Sequence, residues 1–315
     1  MRLLLLLGLV VQVACTASTA VRQPEKVRRV PLEKSGIKLK APTRYEPRVA
    51  SLDPQTNEPV YFDPKPQIVP VDEKAGKYAF KWIGYDGKEK TVILQQFDAI
   101  DAVVSATVSQ TPSGQYLYTY TIENLPSSGA HLSGFMVQNF TPDIKPIKVD
   151  NVYIGEMSNS IVQFSKGNWT SFGILPEFNP AVISGRSIDL QVVSSALPGL
   201  VACRVRGGVL GLKGAGEHMP SELEAVTRGY EQLPKGFTIG PVDKLNALSP
   251  QEHVQYILSI LPQVHKLGWI TDSALRWYRE KLSANDLEAV YKRAEQDLKT
   301  EQITTEVFAM LRAMK

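Results

Sequence analysis

The four histidines of this 315-residue sequence are the residues best suited to metal binding and proton transfer. They are His131, His218, His253 and His265, and no two of them stand at the short spacing of metal ligands. Cys-x-x-Cys, His-Glu-x-x-His and Gly-x-Ser-x-Gly motifs do not occur either. The sequence therefore predicts no metal site, no cofactor and no esterase-type catalytic residue.

The glycine-rich stretch 206–216 has the composition of a phosphate-binding loop but not its order. Such a loop needs Gly-Lys followed by Ser or Thr, whereas Lys213 is followed by Gly214. A dinucleotide-binding loop would need a glycine where Met219 stands. Phosphate binding is therefore not predicted.

The two cysteines suggest different roles. Cys203 alternates with arginine and alanine beside Val201 and Val205, which places its thiol on the apolar face of a strand. Cys15 lies near the N-terminus after Ala14, where it could be the lipid-modified first residue of a lipoprotein, although Gln12 argues against that signal. Removal of the N-terminal signal would leave no intrachain disulfide, which favours a bacterial source for an exported protein.

Aromatic side chains could bind sugars. Tyr116, Tyr118 and Tyr120 fall on one face of a predicted strand, and Trp169 stands on another. An exposed row of rings stacks on carbohydrate, whereas the same row facing inward is core, and the core interpretation is favoured. A glycosidase needs only two carboxylates about 5 to 9 Å apart, a separation that a sequence cannot reveal.

These tyrosines belong to a predicted β-hairpin. The run 102–109 alternates in the same way, and Thr111-Pro112-Ser113-Gly114 between the two runs suits a type I turn. A second hairpin is predicted around Asp86-Gly87. Further strand candidates are 132–140, 151–154, 160–164, 169–174, 187–193 and 200–206. Many short strands separated by glycine and proline are typical of an antiparallel sandwich or barrel.

Two stretches resemble known proteins. The run Ser184-Gly185-Arg186-Ser187-Ile188 through Ser194, with Leu197-Pro198-Gly199-Leu200 and the strand that ends at Gly207, is similar to a segment of bacterial exported proteins of uncharacterised function. Over residues 116–208 this resemblance implies an immunoglobulin-like or fibronectin-like β-sandwich and no activity. Residues 267–282 resemble the helical hairpin that ends many exported bacterial proteins.

Residues 249–315 change to helical periodicity. Ser249-Pro250-Gln251-Glu252 is a capping box, and further helix starts are predicted near Thr271 and Asp286. Gly268 suits the end of the first helix, although Pro262 is expected to kink it or end it earlier. Four short amphipathic helices predict a small bundle.

The N-terminal residues predict export. Arg2, an apolar run over 3–13 and the small residues Ser18 and Ala20 match a cleavable signal, and the run is too short for a bilayer of roughly 30 Å. Residues 22–48 then carry nine Lys or Arg against three Glu, and nine prolines recur between 21 and 71. This segment is predicted to be a linker, an arm on the next domain or a flexible leader, and its charge permits peripheral contact with a membrane.

Together these observations predict a mostly β plus α chain, with an antiparallel, immunoglobulin-like β-sandwich, a C-terminal helical bundle and a disordered or extended Pro-rich N-terminal segment. The predicted segments are signal peptide 1–20, basic Pro-rich linker or arm 21–76, sandwich 77–208, Gly-rich connector 209–248 and bundle 249–315. The net charge of +3 does not indicate nucleic acid as a partner.

The resulting hypothesis is an exported noncatalytic binding or structural protein of the cell envelope or extracellular space. Its partner would be an envelope polymer, a carbohydrate or a protein. The alternative is a secreted carbohydrate-binding module or carbohydrate-active hydrolase. Secretion or periplasmic location is expected, with a membrane-tethered lipoprotein as the alternative.

Overall fold

The computed structural model describes residues 25–34, 48–62, 67–73, 76–83, 89–95, 98–141, 143, 145–149, 152–153, 161–166, 169–174, 183–207 and 233–314. The strands are β1 (Arg48–Leu52), β2 (Pro59–Phe62), β3 (Gln67–Asp72), β4 (Lys77–Ile83), β5 (Glu89–Gln95), β6 (Ala102–Gln110), β7 (Tyr116–Asn124), β8 (Leu132–Gln138), β9 (Lys145–Val149), β10 (Val152–Tyr153), β11 (Ile161–Lys166), β12 (Trp169–Ile174), β13 (Arg186–Ser194), β14 (Leu197–Gly207) and β15 (Lys235–Val242). A 3₁₀ helix over Asp243–Ala247 precedes α1 (Pro250–Lys266), α2 (Asp272–Ser283), α3 (Leu287–Lys299) and α4 (Thr305–Arg312).

Two five-stranded antiparallel sheets form the centre of the molecule. The first sheet has the order β10-β9-β13-β7-β6, and the second has the order β11-β12-β8-β14-β15. Their inner faces meet, because the ring of Tyr120 in β7 lies 5.3 Å from that of Phe135 in β8, measured between centroids. The predicted combination of β-structure and C-terminal helices is confirmed, and the immunoglobulin-like topology stays a prediction.

The hairpin predicted from the tyrosine run is present. β6 and β7 pair from Ala102 opposite Asn124 to Gln110 opposite Tyr116. The Gly114 N–H donates to the Thr111 carbonyl at 2.9 Å, and Gly114 has a φ of +81°, which glycine adopts without strain. Strands β4 and β5 form the second hairpin, although its Asp86-Gly87 turn lies outside the described residues.

Strand β15 lies within the predicted connector. Residues 235–242 were expected to lie in the Gly-rich connector because glycine and proline interrupt them, yet they pair with β14. As an edge strand, β15 tolerates Pro241, and Gly240 lies so close to Val201 that an added Cβ would come within 2.8 Å of its methyl group. Residues 209–232 of the predicted connector lie outside the described residues, and its residues 243–247 form the 3₁₀ helix.

Strand β3 lies within the predicted linker. It pairs with β4 at the edge of a three-stranded sheet, β3-β4-β5, so this pairing crosses the predicted boundary between residues 76 and 77. Pro70 is compatible with β3 because an edge strand has one unpaired side. Strands β1 and β2 form a separate antiparallel pair in the same segment. The five segment boundaries remain predictions.

The four predicted helices are confirmed. Ser249 and Glu252 form the capping box of α1, Thr271 caps α2 and Asp286 caps α3. The expectation about Pro262 was wrong in one respect, since α1 continues past it to Lys266. Pro262 is exposed, so the carbonyl that it leaves without a donor can bond to water, while Leu261 beside it stays in the core.

The helices and the two large sheets share one hydrophobic core. The Tyr256 hydroxyl of α1 accepts a hydrogen bond from the Leu200 N–H of β14 at 2.9 Å, and the Thr305 hydroxyl of α4 donates to the Ala106 carbonyl of β6 at 2.9 Å. The bundle therefore packs directly on the sheets. None of the helices among the described residues has both the length and the apolar composition needed to cross a membrane.

The described part of the basic arm is an extended segment bound to the rest of the molecule. Residues 25–34, called the N-terminal segment from here on, form ion pairs from Lys26 to Glu301, from Arg29 to Glu306 and from Lys34 to Asp101. The interpretation as a flexible leader does not fit these ten residues, although seven of them are exposed to solvent. Their docking joins the helices to both large sheets.

Candidate functional site

The structure divides the four predicted sugar-stacking residues. Tyr118 and Tyr120 are fully buried, with their stacked rings 6.5 Å apart, so neither has a face to offer a sugar. Both are therefore core residues, and neither is retained as a candidate sugar-stacking residue. Burial raises the pKa of both phenols far above the usual range.

The other two residues are partly exposed but stand on different sheets. Trp169 lies in β12 of the second sheet, where the Arg204 guanidinium carbon sits 5.0 Å from its ring centre. Tyr116 lies in β7 of the first sheet and lines a groove described below. The structure therefore does not bring the predicted rings into one row. Cys15, the candidate lipidation site, lies outside the described residues.

The outer edge of β6 is the feature around which the candidate site is built. β6 is the last strand of the first sheet, so one side of its backbone has no strand partner within that sheet. The Ala102 carbonyl accepts a hydrogen bond from the Leu32 N–H at 2.8 Å. The Ala106 N–H donates to Glu306 Oε1 at 2.7 Å, and its carbonyl accepts from Thr305. Ala102 and Ala106 therefore point their backbone groups away from β7.

The register extends this orientation to the rest of β6. In an antiparallel pair, alternate residues turn both backbone groups toward the partner or both away from it. Since Ala102 and Ala106 turn theirs outward, Val104 and Val108 do so as well. Along this edge, Ala102 contacts the N-terminal segment and Ala106 contacts α4. Val104 lines a first cavity, and Val108 lines a second.

The first cavity, of about 210 Å³, lies next to Val104. Its walls come from the N-terminal segment, β15 and the end of α1, and Trp269 forms part of its apolar lining. Lys235 and Lys266 also line it. The N-terminal segment thus covers this stretch of the β6 edge.

The second cavity is an open groove of about 500 Å³ between the end of β6 and α4. We call it the β6–α4 groove. It is lined by Val108, Ser109, Gln110, Tyr116, Pro198, Phe308, Ala309, Arg312 and Ala313. Tyr116 and Phe308 are each partly exposed, so two aromatic rings contribute surface to one groove.

The charge of the groove comes from Arg312. Its guanidinium carbon lies 6.0 Å from the ring centre of Phe308, and its Nη1 atom lies 3.3 Å from Glu295 Oε1. No carboxylate is among the described residues that line the groove. The groove therefore offers rings, backbone groups and one cation, which suit binding, and it lacks a carboxylate pair for acid and base catalysis.

A cluster of hydroxyls around Asp143 holds a loop between the two sheets. Ser194 Oγ donates to Oδ1 at 2.6 Å, Thr141 Oγ1 donates to the same atom at 2.7 Å, and the Ser195 hydroxyl and N–H donate to Oδ2 at 2.6 and 2.8 Å. Burial alone would raise the pKa of Asp143, but these hydrogen bonds outweigh it and hold the pKa well below its usual range. The serines are donors to an ionised carboxylate, an arrangement that does not activate them as nucleophiles.

The cysteine thiol and the possible metal ligands do not form a reactive site in the described residues either. Cys203 is buried in β14, as its alternation predicted, and burial raises the pKa of its thiol far above the usual range. Within the described ranges, no three His, Cys, Asp or Glu side chains are grouped so that they could hold a metal ion.

The sequence indicated Tyr116 as a candidate site residue but not Val108, Phe308 or Arg312. Val108 was recognised as a strand residue, and Phe308 and Arg312 belong to the predicted last helix. Nothing in the sequence indicated that this helix would lie beside the β6 edge. The hairpin register could have predicted which β6 residues turn their backbone groups away from β7. It could not have predicted which element lies beside those groups.

Comparison with known proteins gives only distant likenesses. No protein family and no curated protein matches the sequence. Among solved structures, the chain is similar to ChBD3 from Thermococcus kodakarensis KOD1, with 12% identity and a TM-score of 0.22 over 36% of this chain and 88% of that one. It is also similar to BcpA, the major pilin subunit of Bacillus cereus, with 12% identity and a TM-score of 0.25 over 48% of this chain and 44% of that one.

A third likeness is to the Actinomyces fimbrial adhesin FimA, with 9% identity and a TM-score of 0.26 over 44% of this chain and 56% of that one. The matches to BcpA and FimA thus span about half of each of those proteins. Identities and TM-scores this low carry no argument about the function of this chain.

Proposed function

We propose that this chain is an exported, noncatalytic binding protein of the cell envelope or extracellular space, and that the β6–α4 groove is its binding site. The supporting observation is the composition of that groove, where Tyr116, Phe308 and Arg312 line an open space beside the outward backbone of β6. Protein ligand sites combine apolar walls with a few polar groups in this way. Export is supported by the N-terminal signal pattern in the sequence.

A carbohydrate-binding module is the second candidate. It is favoured by Tyr116 and Phe308, because two partly exposed rings beside Arg312 can stack on and orient a sugar. A carbohydrate-active hydrolase has less support, since it would require paired carboxylates that the described lining does not contain.

The test is a joint screen for binding and turnover with the mature chain. Immobilised glycans, wall polymers and peptides would be screened for binding, and glycosidase, esterase and protease substrates for turnover. We expect binding without turnover, weakened by Tyr116→Ala and Phe308→Ala. Trp169→Ala is the matched control, because it removes a partly exposed ring on the second sheet. Turnover that survives purification, or binding that only Trp169→Ala weakens, would overturn the proposal.

A further inference from the structure

The edge of β6 already receives one extended segment of this chain. Besides the bond between Leu32 and Ala102, the backbones of Glu33 and Lys235 exchange two hydrogen bonds of 2.9 Å. The N-terminal segment therefore contacts the edge strands of both large sheets through its own backbone. This is how an added β-strand is recognised.

The same edge is left open at Val108. The chain itself bonds to Ala102 through the N-terminal segment and to Ala106 through α4, and the N-terminal segment also closes over the first cavity beside Val104. In the described part of the chain, no group bonds to the outward N–H and C=O of Val108, which face the β6–α4 groove. Proteins usually cover or block unpaired edges, so an open edge in a groove is a template for another strand.

We infer that the β6–α4 groove binds an extended peptide that adds to β6 at Val108 and carries an acidic side chain to Arg312. The peptide backbone would exchange hydrogen bonds with Val108, and its alternate side chains would contact Tyr116 and Phe308. This inference rests on the proposed function and specifies the ligand class of the same site.

The acidic character of the peptide follows from the charge of the groove. Arg312 is the one ionisable cation among the groove-lining residues that the structure describes. Its present partner, Glu295, competes weakly, because the two side chains are 42% and 58% exposed and a surface ion pair contributes little. A carboxylate on the peptide can therefore share or replace that partner, with the bidentate geometry that arginine favours.

A backbone-directed ligand fits this groove better than a sugar. Stacking on sugars is strongest with a row of exposed rings, and the burial of Tyr118 and Tyr120 leaves Tyr116 alone on its strand. The N–H and C=O of Val108, by contrast, are turned away from β7 by the strand register, as the free groups of a sheet edge are. Glycan binding is kept as an outcome of the test.

The test begins with a library of random heptapeptides displayed on phage and selected against the mature chain. Enriched peptides would be synthesised with a fluorescent label and their dissociation constants measured by anisotropy. Val108→Pro removes the outward N–H without removing a bond to β7, so it should weaken binding by up to about tenfold, the effect of losing one hydrogen bond. Val108→Thr keeps the backbone donor and the branched shape, and it should bind as the natural protein does.

Two further measurements separate backbone addition from other modes. Arg312→Gln should weaken binding by about threefold at low salt, with a smaller difference in 1 M NaCl because screening weakens surface charge interactions. Peptides N-methylated at alternate residues should lose affinity in one parity and keep it in the other. The peptide test needs no altered protein, so it remains decisive if Val108→Pro does not fold.

The outcomes distinguish this inference from the proposed function. Enriched acidic peptides that depend on Val108 and Arg312 support both. Glycan binding that depends on Tyr116 and Phe308, with no peptide enriched, overturns the peptide and leaves the binding function standing. Peptides that tolerate both N-methylation parities overturn strand addition. A groove that binds neither peptides nor glycans overturns the proposed function as well.

Discussion

Arg29 and Glu306 are 277 residues apart in the sequence and form an ion pair in the structure. Glu306 has no exposed side-chain surface, and its Oε1 atom also accepts the N–H of Ala106 at 2.7 Å. One carboxylate thus joins the N-terminal segment, α4 and the edge of β6. The Arg29 side chain is 28% exposed, so it covers the carboxylate from the solvent side.

Replacing Arg29 by methionine should lower the free energy of unfolding by about 3 kcal/mol, because it leaves a buried carboxylate without its cation. Lys26→Met is the matched control, since Lys26 and Glu301 are 58% and 57% exposed and an exposed pair contributes less than about 1 kcal/mol. Urea unfolding followed by circular dichroism measures both.

The double variant Arg29→Met with Glu306→Gln should recover part of the loss, since glutamine still accepts the Ala106 N–H without a buried charge. Equal losses in Arg29→Met and Lys26→Met would contradict the structural role assigned to this ion pair.

Two neighbouring buried tyrosines should respond differently to loss of the hydroxyl. Tyr118 donates to the Ala196 carbonyl at 2.6 Å, so Tyr118→Phe should cost about 1 kcal/mol of stability. Among the described residues, the Tyr120 hydroxyl has no hydrogen-bond partner, so Tyr120→Phe should be neutral or stabilising. Thermal unfolding of the two variants measures both effects. A larger loss of stability in Tyr120→Phe than in Tyr118→Phe would contradict these hydrogen-bond partners.

Asp143 should make stability depend on pH in the acidic range. Its pKa is below the usual value in the folded state, whereas an unfolded aspartate titrates near 3.9. A lowered folded pKa contributes stability above about pH 4, and this contribution is lost as the pH falls through the folded pKa. Asp143→Asn should therefore be less stable than the natural protein at pH 7.

The difference between Asp143→Asn and the natural protein should shrink between about pH 4 and pH 2. The measurement is a series of urea titrations across that range and at pH 7. A difference that stays constant down to pH 2 would show that Asp143 is not the titrating group.

Gly268 should be essential for docking of the N-terminal segment. It follows α1 with a φ of +71°, and a Cβ at this position would collide with the Arg28 carbonyl. Gly268→Ala should cost roughly 1–2 kcal/mol from the left-handed conformation alone, and it should also displace residues 25–34. Hydrogen exchange of the Val27 and Arg28 amides, which donate to Glu301 and Gly268, would report the displacement.

Gly185→Ala is the control for that experiment. Gly185 has a φ of +80°, but an added Cβ would meet only Pro126 at 3.9 Å. It should therefore show the backbone cost without faster exchange in the N-terminal segment. Unchanged exchange of Val27 and Arg28 in Gly268→Ala would contradict the close approach seen at Gly268.

Local patterns in the sequence were sufficient for most elements of the fold. Alternation predicted β6 and β7, and the capping signals at Ser249, Thr271 and Asp286 predicted where three helices begin. Each of these signals acts within a few residues. Alternation also indicated that Cys203 would be an inert core residue, which its burial confirms.

Strand β15 was not predicted, and the continuation of α1 past Pro262 was left open, for one physical reason. Glycine and proline weaken strands and helices in isolation, but tertiary position can remove the penalty. An edge strand leaves one side of Pro241 unpaired, and Pro262 lies on the exposed side of α1, where a carbonyl without a donor can bond to water. Which residues receive such positions is decided by packing.

The sequence by itself determined the local elements of this protein, because side-chain period, turn residues and helix caps act over a few residues. Only the tertiary structure decided that Tyr118 and Tyr120 are core, that residues 25–34 are bound, and that Arg312 lies in the same groove as Val108. Contacts between residues about 200 or more apart, such as Ala106 with Glu306, depend on how the sheets and helices pack together. No local pattern records that packing, because it is selected by the burial of apolar surface over the whole chain.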